Sequence, residues 1–142
     1  MRLVLDTSVL VAALRSRKGS SRLLLVDALR QQVEIVLSVP LALEYEAVLT
    51  RPEHLRAFGL SRDEVERLLD ALVGVARAVD LAFTWRPVSA DPNDDMVIET
   101  AVNGGADMVV TFNSKDFVGL EARFGIPAAS PAQYLLRFGE RS

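Results

Sequence analysis

Leu3-Val4-Leu5 is the first apolar run of the chain, and it stops at a charged residue, Asp6. A short run without polar alternation reads as a strand buried on both faces, as in a parallel sheet. Asp6, Thr7 and Ser8 are all N-cap residue types, and the helix they open runs to about Leu14. A basic, small-residue loop follows from Arg15 to Gly19. Ser20 or Ser21 then opens a second helix to about Gln31, with Leu23, Leu24, Val26 and Leu29 among its apolar members. Val33 to Leu37 repeats the strand signal. Pro40 suits the first turn of a helix reaching about Thr50, and Pro52 starts a short continuation. Ser61 with Glu64 three residues on is a capping box. Behind it Val65, Leu68, Leu69, Leu72, Ala76 and Val79 recur at helical spacing, which predicts a long amphipathic helix from Ser61 to Val79. Phe83-Thr84-Trp85 reads as a short strand. Asp91-Pro92-Asn93-Asp94 gives a turn and a helix start, with the helix continuing to Val102 and ended by Asn103-Gly104-Gly105. Met108 to Thr111 is another buried strand, Ile126 to Ala128 a last one, and Pro131 leads a final helix to about Phe138. Strands alternating with helices predict a parallel α/β sandwich. No internal repeat, low-complexity tract or long linker divides the chain, so residues 1–142 read as one domain.

Composition then narrows the functions open to such a sandwich. At 142 residues, half of them apolar, the chain supplies a full core for one domain. The apolar surplus and the long amphipathic helix predict self-association, most simply as a two-fold homodimer. The absence of cysteine excludes a disulfide framework, a thiolate nucleophile and a cysteine-based zinc site, and fits a cytoplasmic protein. The N-terminal apolar run is broken by Asp6 and lacks a small-residue cleavage site, so it does not read as a signal peptide. No stretch reaches the roughly 20 apolar residues of a membrane span. A net charge of −3 runs against nucleic-acid binding. It is tolerable where the acids gather in one metal-binding pocket and arginines lie around its rim.

In open α/β sheets, ligands bind outside the carboxyl ends of the strands. Asp6 follows the first strand directly. Asp94 and Asp95 begin the helix before the strand Met108 to Thr111, and Asn113 and Asp116 follow that strand. On the helix after Val33–Leu37, Leu41, Tyr45, Val48 and Leu49 form the apolar stripe. Glu44 and Glu46 flank it on either side, and periodicity does not choose between them. Carboxylates gathered closely repel, so a cation or a proton must sit among them. With no cysteine and His54 alone, the ligand set is all oxygen, which points to Mg²⁺ or Mn²⁺ rather than zinc. Each residue also has an ordinary structural reading. Asp6 can be a plain N-cap, Asp94 and Asp95 suit a helix dipole, and Glu44 and Glu46 suit a solvated flank. Asp116 can cap the short turn around Phe117, and His54 reads as a surface residue without a role. Only the joint arrangement at successive strand ends raises the functional reading above these.

The segments L-D-T-S-V-L-V, L-E-Y-E-A-V-L-T-R-P, D-P-N-D-D and G-A-D-M-V-V-T-F-N-S-K-D-F occur in this order along nearly the whole chain. Together they resemble the PIN domain, most of all its branch of toxins from prokaryotic toxin–antitoxin systems. The resemblance implies a three-layer α/β/α sandwich with a central parallel sheet of four to five strands. It implies a Mg²⁺- or Mn²⁺-dependent ribonuclease with an acidic pocket and a cognate antitoxin protein as partner. Carried over residue by residue, the family's acids fall on Asp6, on Glu44 and on Asp94, with Asp95 as a neighbour. The family's last aspartate has its place at Asn113, an amide that adds no negative charge, and the acid comes later, at Asp116. Thr7 or Ser8 would hold Asp6 in place, and Thr111 would do the same for the far wall.

The leading expectation is therefore an endoribonuclease with Asp6, Glu44, Asp94 and Asp116 as metal ligands or water-positioning groups. Arg15, Arg17 and Lys18 are candidate phosphate contacts, with a solvated loop as their ordinary reading. Asn113 keeps open a second expectation, a non-catalytic RNA-binding or partner-binding PIN domain with a degraded pocket. A phosphoacceptor domain of the response-regulator kind fits poorly, because Ser38 ends the second strand where an aspartate is needed. A P-loop enzyme is excluded, since no G-x-x-x-x-G-K-[ST] occurs.

Overall fold

Leu3, Val4 and Leu5 are each 0% exposed, which makes β1 (Arg2–Leu5) the centre of the sheet. The computed structural model describes residues 1–82 and 92–138. In it β1 is flanked by β2 (Glu34–Leu37) on one side and β4 (Met108–Val110) on the other. The outer strands are β3 (Arg77–Ala78) and β5 (Ala128–Ala129), and the five strands run parallel in the order β3-β2-β1-β4-β5. The chain thus builds outward from β1 in one direction, then returns to build in the other. The reversal falls between β1 and β4, which is the position where open α/β sheets form a binding crevice at their carboxyl edge.

Helices flank the sheet, giving the three-layer α/β architecture. Asp6 is the residue before α1 (Thr7–Arg15), and α2 (Ser20–Leu29) follows after the basic loop. α3 (Val39–Leu49) and α4 (Pro52–Phe58) separate β2 from α5 (Arg62–Val75). α6 (Pro92–Gly104) precedes β4, while α7 (Val118–Phe124) and α8 (Pro131–Phe138) lie on either side of β5. Ser38 caps α3, its hydroxyl oxygen accepting from the Leu41 N–H at 3.4 Å. The Ser38 hydroxyl also meets Thr100 Oγ1 at 2.7 Å, and Thr100 in turn donates to the Met96 carbonyl at 2.7 Å. Because the Thr100 proton is used on Met96, Ser38 is the donor of the pair. This buried chain ties the start of α3 to the middle of α6.

The capping box forms as expected, with Glu64 N–H on Ser61 Oγ at 3.1 Å and Ser61 N–H on Glu64 Oε1 at 3.0 Å. The Ser61 backbone and side-chain hydrogen bonds hold the Glu64 carboxyl below its usual value. The helix is shorter than its periodicity predicts, ending at Val75 rather than Val79. Arg77 and Ala78 are extended and pair with Val36 and Leu37, and the Val79 N–H reaches the Leu37 carbonyl at 3.0 Å. The open edge of β2 needs partners for its backbone groups, and that demand overrides two apolar residues in helical phase. The strand expected at Phe83–Trp85, and Asp91 of the expected turn, lie outside the described residues. The short turn expected around Phe117 is a 3₁₀ turn (Ser114–Phe117), α7 was not predicted, and the last strand sits at Ala128–Ala129 instead of Ile126–Ala128. Pro127 has no N–H to give, and its carbonyl accepts from Val109 at 2.9 Å ahead of the strand. His54 is half-buried, not a surface residue, with Nδ1 against the Val48 carbonyl at 2.7 Å.

Gly104 ends α6 where the helix lies against β2. A methyl group there would overlap the Val36 side chain, and Val79 would crowd it at 3.0 Å. The sheet beneath is close-packed and has no room to give. Gly104→Ala is therefore expected to lower unfolding stability by about 1–3 kcal/mol despite the better helix propensity of alanine. Urea titration of the variant beside the parent measures the loss. An unchanged midpoint would show that α6 shifts freely on the sheet.

Candidate active site

Asp6 continues β1 by one step. Its backbone N–H donates to the Val110 carbonyl of β4 at 2.9 Å, so strand pairing carries the residue to the reversal of the sheet. It occupies the N-cap position of α1, yet its side chain makes no capping hydrogen bond. The carboxylate is turned elsewhere. Oδ2 accepts from Thr111 Oγ1 at 2.7 Å and from Ser8 Oγ at 3.0 Å, and the residue is only 9% exposed. Among the described residues no hydrogen bond is made to Oδ1. Thr111 is fully buried, and its hydroxyl oxygen accepts from the Asn113 N–H at 3.0 Å while its proton goes to Asp6. The hydroxyl rotor is thereby fixed, and with it the plane of the carboxylate. Of the supporting residues named from the sequence, Ser8 and Thr111 hold Asp6. Thr7 begins α1 without a side-chain bond to it.

Tyr45 brings α3 to the same place. Its phenol donates to the carbonyl of Leu5, the residue before Asp6. Burial pushes the phenol far above its ordinary value, and the nearby charge of Asp6 adds to the rise. Sequence reasoning assigned Tyr45 to the apolar stripe of α3 and missed this bond. The signal was available, since a buried tyrosine hydroxyl almost always has a partner. Beside it on the helix, Glu44 is half-buried and Glu46 is exposed.

The other candidates are spread along the carboxyl edge. Asp94 is half-buried and Asp95 buried in the first turn of α6. Asn113 and Asp116 are both exposed, Asn113 as the residue before the 3₁₀ turn and Asp116 within it. Asp116 is therefore part of the turn and not the cap before it. Among the described residues, no group of three or more histidine, aspartate or glutamate side chains stands together as a ready metal cage. A hydrated magnesium ion is commonly held by one or two carboxylates plus waters, and a buried, orientation-locked Asp6 fits that requirement. Arg15, Arg17 and Lys18 are exposed at the far end of α1. At about 1.5 Å rise per residue that end is roughly 14 Å from Asp6. These cations therefore stand too far along the helix to touch a group held at Asp6.

Replacing Tyr45 by phenylalanine removes the donor to Leu5 and leaves a buried carbonyl unpaired, which should cost about 1 kcal/mol. The Tyr45 phenol lies above its unfolded value of about 10, so its contribution is complete below that pH and is lost as pH rises beyond it. Tyr45→Phe should thus be less stable than the parent at neutral pH and should lose less stability than the parent between about pH 10 and 12. Denaturation curves across that range test both parts. A parallel decline in the two proteins would remove Tyr45 from the account.

The sequence profile of the PIN domain matches residues 2–115. The matched range begins in β1 and ends one residue before Asp116. It takes in Asp6, Glu44, Asp94, Thr111 and Asn113, and leaves α7, β5 and α8 outside. A comparison with curated proteins found no match. PIN domains are in general nuclease-related and typically hydrolases. With most of its length covered by one profile, and with the all-parallel sheet that carries Asp6 to the switch between β1 and β4, the chain belongs to the PIN-domain family.

Proposed function

We propose that this chain is a Mg²⁺- or Mn²⁺-dependent endoribonuclease that hydrolyses RNA phosphodiester bonds and acts as the toxin of a prokaryotic toxin–antitoxin pair. The observation that carries the reading is the bond between Thr111 and Asp6 across the reversal of the sheet. A buried carboxylate held by two hydroxyls on one oxygen, and not used as a helix cap, is arranged for a ligand. Asp6 is the principal metal ligand in this reading, with Glu44, Asp94 and Asp116 as further ligands or water-positioning groups and Asp95 beside them. When bound, the ion supplies an activated water and stabilises charge developing on the phosphate. The chain's own part is orientation. Ser8 and Thr111 fix the Asp6 carboxylate, and Asn113 offers an uncharged amide at the rim. Hydrolysis adds the water oxygen to phosphorus as the bond to the leaving ribose oxygen breaks, and that oxygen takes up a proton.

The partners belong to the same proposal: an RNA substrate, a cognate antitoxin and a second copy of the chain, in the cytoplasm. Among the described residues no helix is long and apolar enough to cross a membrane. Exposed Val39, Leu43 and Val73 on α3 and α5 support self-association. A second reading, a PIN domain that binds RNA or a partner without cleaving, is favoured by Asn113 standing where the resemblance calls for an acid.

Metal and mutation separate the two. Millimolar Mn²⁺ should raise the melting temperature relative to EDTA, because an ion that binds the folded state alone stabilises it by mass action, about 2.7 kcal/mol at a hundredfold excess over Kd. No shift, and no heat of binding by calorimetry, would favour the non-catalytic reading. Asp6→Asn should lower RNA cleavage by at least about a hundredfold, more than loss of an outer-shell partner typically costs. The asparagine carbonyl can still accept from Ser8 and Thr111, so the fold should survive. Glu44→Gln should also reduce cleavage, while Glu46→Gln on the exposed flank should leave it unchanged. Wild-type rates from Asp6→Asn in Mn²⁺, with contaminating nuclease excluded, would overturn the mechanism.

A further inference from the structure

The 3₁₀ turn begins one residue after Asn113 and, with α7 and β5, encloses an open concavity of about 200 Å³. Ser114, Lys115, Phe117, Val118, Glu121 and Ala128 line it. This is smaller than the roughly 300–1,000 Å³ of pockets that hold drug-sized ligands, and suits one small planar group. Its apolar wall is Phe117, Val118 and Ala128, and Val118 is 66% exposed. The polar groups are a hydroxyl, an ammonium and a carboxylate. Among the described residues neither Lys115 nor Glu121 is in an ion pair, although both line the same concavity. A phosphate would gain from Lys115 and be repelled by Glu121. A neutral ring carrying both donors and acceptors on its edge would satisfy both.

We infer that this concavity seats one unpaired base of the RNA beside the cleaved phosphate, with guanine as the preferred base. The inference rests on the ribonuclease reading of the Asp6 site and goes beyond it to substrate selection. Single-stranded RNA is read by splaying a base out and hydrogen-bonding its Watson–Crick edge. Guanine presents N1–H and N2–H side by side, which a carboxylate accepts together, and O6 beside them for an ammonium. Adenine and cytosine offer the carboxylate one amino group. Uracil flanks its single N–H with two carbonyls that repel it. Glu121 is thus the discriminating residue, Lys115 and Ser114 complete the edge, and the exposed Val118 supplies the apolar face.

The test uses the full chain and short oligouridines carrying a single guanosine, inosine or adenosine. Binding is read by fluorescence anisotropy in EDTA, and cleavage by product analysis in Mn²⁺. The guanosine oligonucleotide should bind about tenfold or more tightly than the adenosine one, in keeping with hydrogen bonds to a charged group. Inosine, which lacks the N2 amino group, should fall between them, and cleavage should cluster next to guanosine. Glu121→Gln should erase the preference for guanosine over adenosine while its melting temperature stays that of the parent. Equal binding of all three by a protein that cleaves RNA, or a preference retained by Glu121→Gln, would overturn the base seat and leave the ribonuclease reading standing. Neither binding nor cleavage of any of them would bring down both.

Discussion

Where β1 and β4 end, a threonine hydroxyl meets an aspartate carboxylate at 2.7 Å. A carboxylate as buried as Asp6 is costly without donors, so the site depends on that hydroxyl being in place. Its place is set by the sheet. β4 pairs in register with β1, Leu5 opposite Val110, and the Thr111 N–H is held by the Ala129 carbonyl of β5 at 2.8 Å. The Asn113 N–H then fixes which way the hydroxyl turns. Three separate strands must assemble before the carboxylate has an orientation. The site is thus a product of the assembled sheet, although its first residue is sixth in the chain.

The two edges of the sheet are built differently. At the carboxyl edge the links are short, neutral and buried: Tyr45 to Leu5, and Ser38 to Thr100 to Met96. They lock α3 and α6 to the strands that carry the site. At the amino edge Glu34 meets Arg2 at 2.8 Å and Arg77 at 3.7 Å, with all three side chains substantially exposed. Exposed pairs of that kind contribute little. Rigidity is therefore concentrated where a ligand would bind, which is what a site requiring a fixed carboxylate demands.

The parts of the fold legible in the sequence were those with a strong local cause. β1 and β4 announced themselves as unbroken apolar runs because both faces are buried, β2 as an apolar run interrupted only by Glu34, and Ser61 with Glu64 marked α5 through a cap. β3 left no trace, since two residues carry no period, and Ala76 and Val79 happened to continue the helical phase of α5. α7 spans seven residues, about two turns, too few for periodicity to separate it from a loop. At the site, Asp6 was legible as the residue that ends β1, whereas Thr111 was expected to brace the far wall and instead donates to Asp6. Tyr45 was hidden by its double service, ring in the core and hydroxyl on Leu5. Asp94 and Asp95 remained ambiguous, because acids in the first turn of a helix serve its dipole and a metal equally well.

Charge sets the remaining constraint. A chain of net charge −3, whose candidate cations Arg15, Arg17 and Lys18 lie a helix length from Asp6, exerts little long-range pull on a polyanion. Proteins that bind nucleic acid through many phosphate contacts draw most of their non-specific affinity from counterion release. Among the described residues, the candidate cations Arg15, Arg17 and Lys18 offer such contacts only at that distance. For RNA to be its substrate, affinity has to be gained at short range, from an ion that offsets the acids and from groups that recognise a base once it has arrived. An acidic surface then becomes a filter. It weakens indiscriminate binding to structured RNA and leaves a strand with an exposed, correctly placed base as the one that stays.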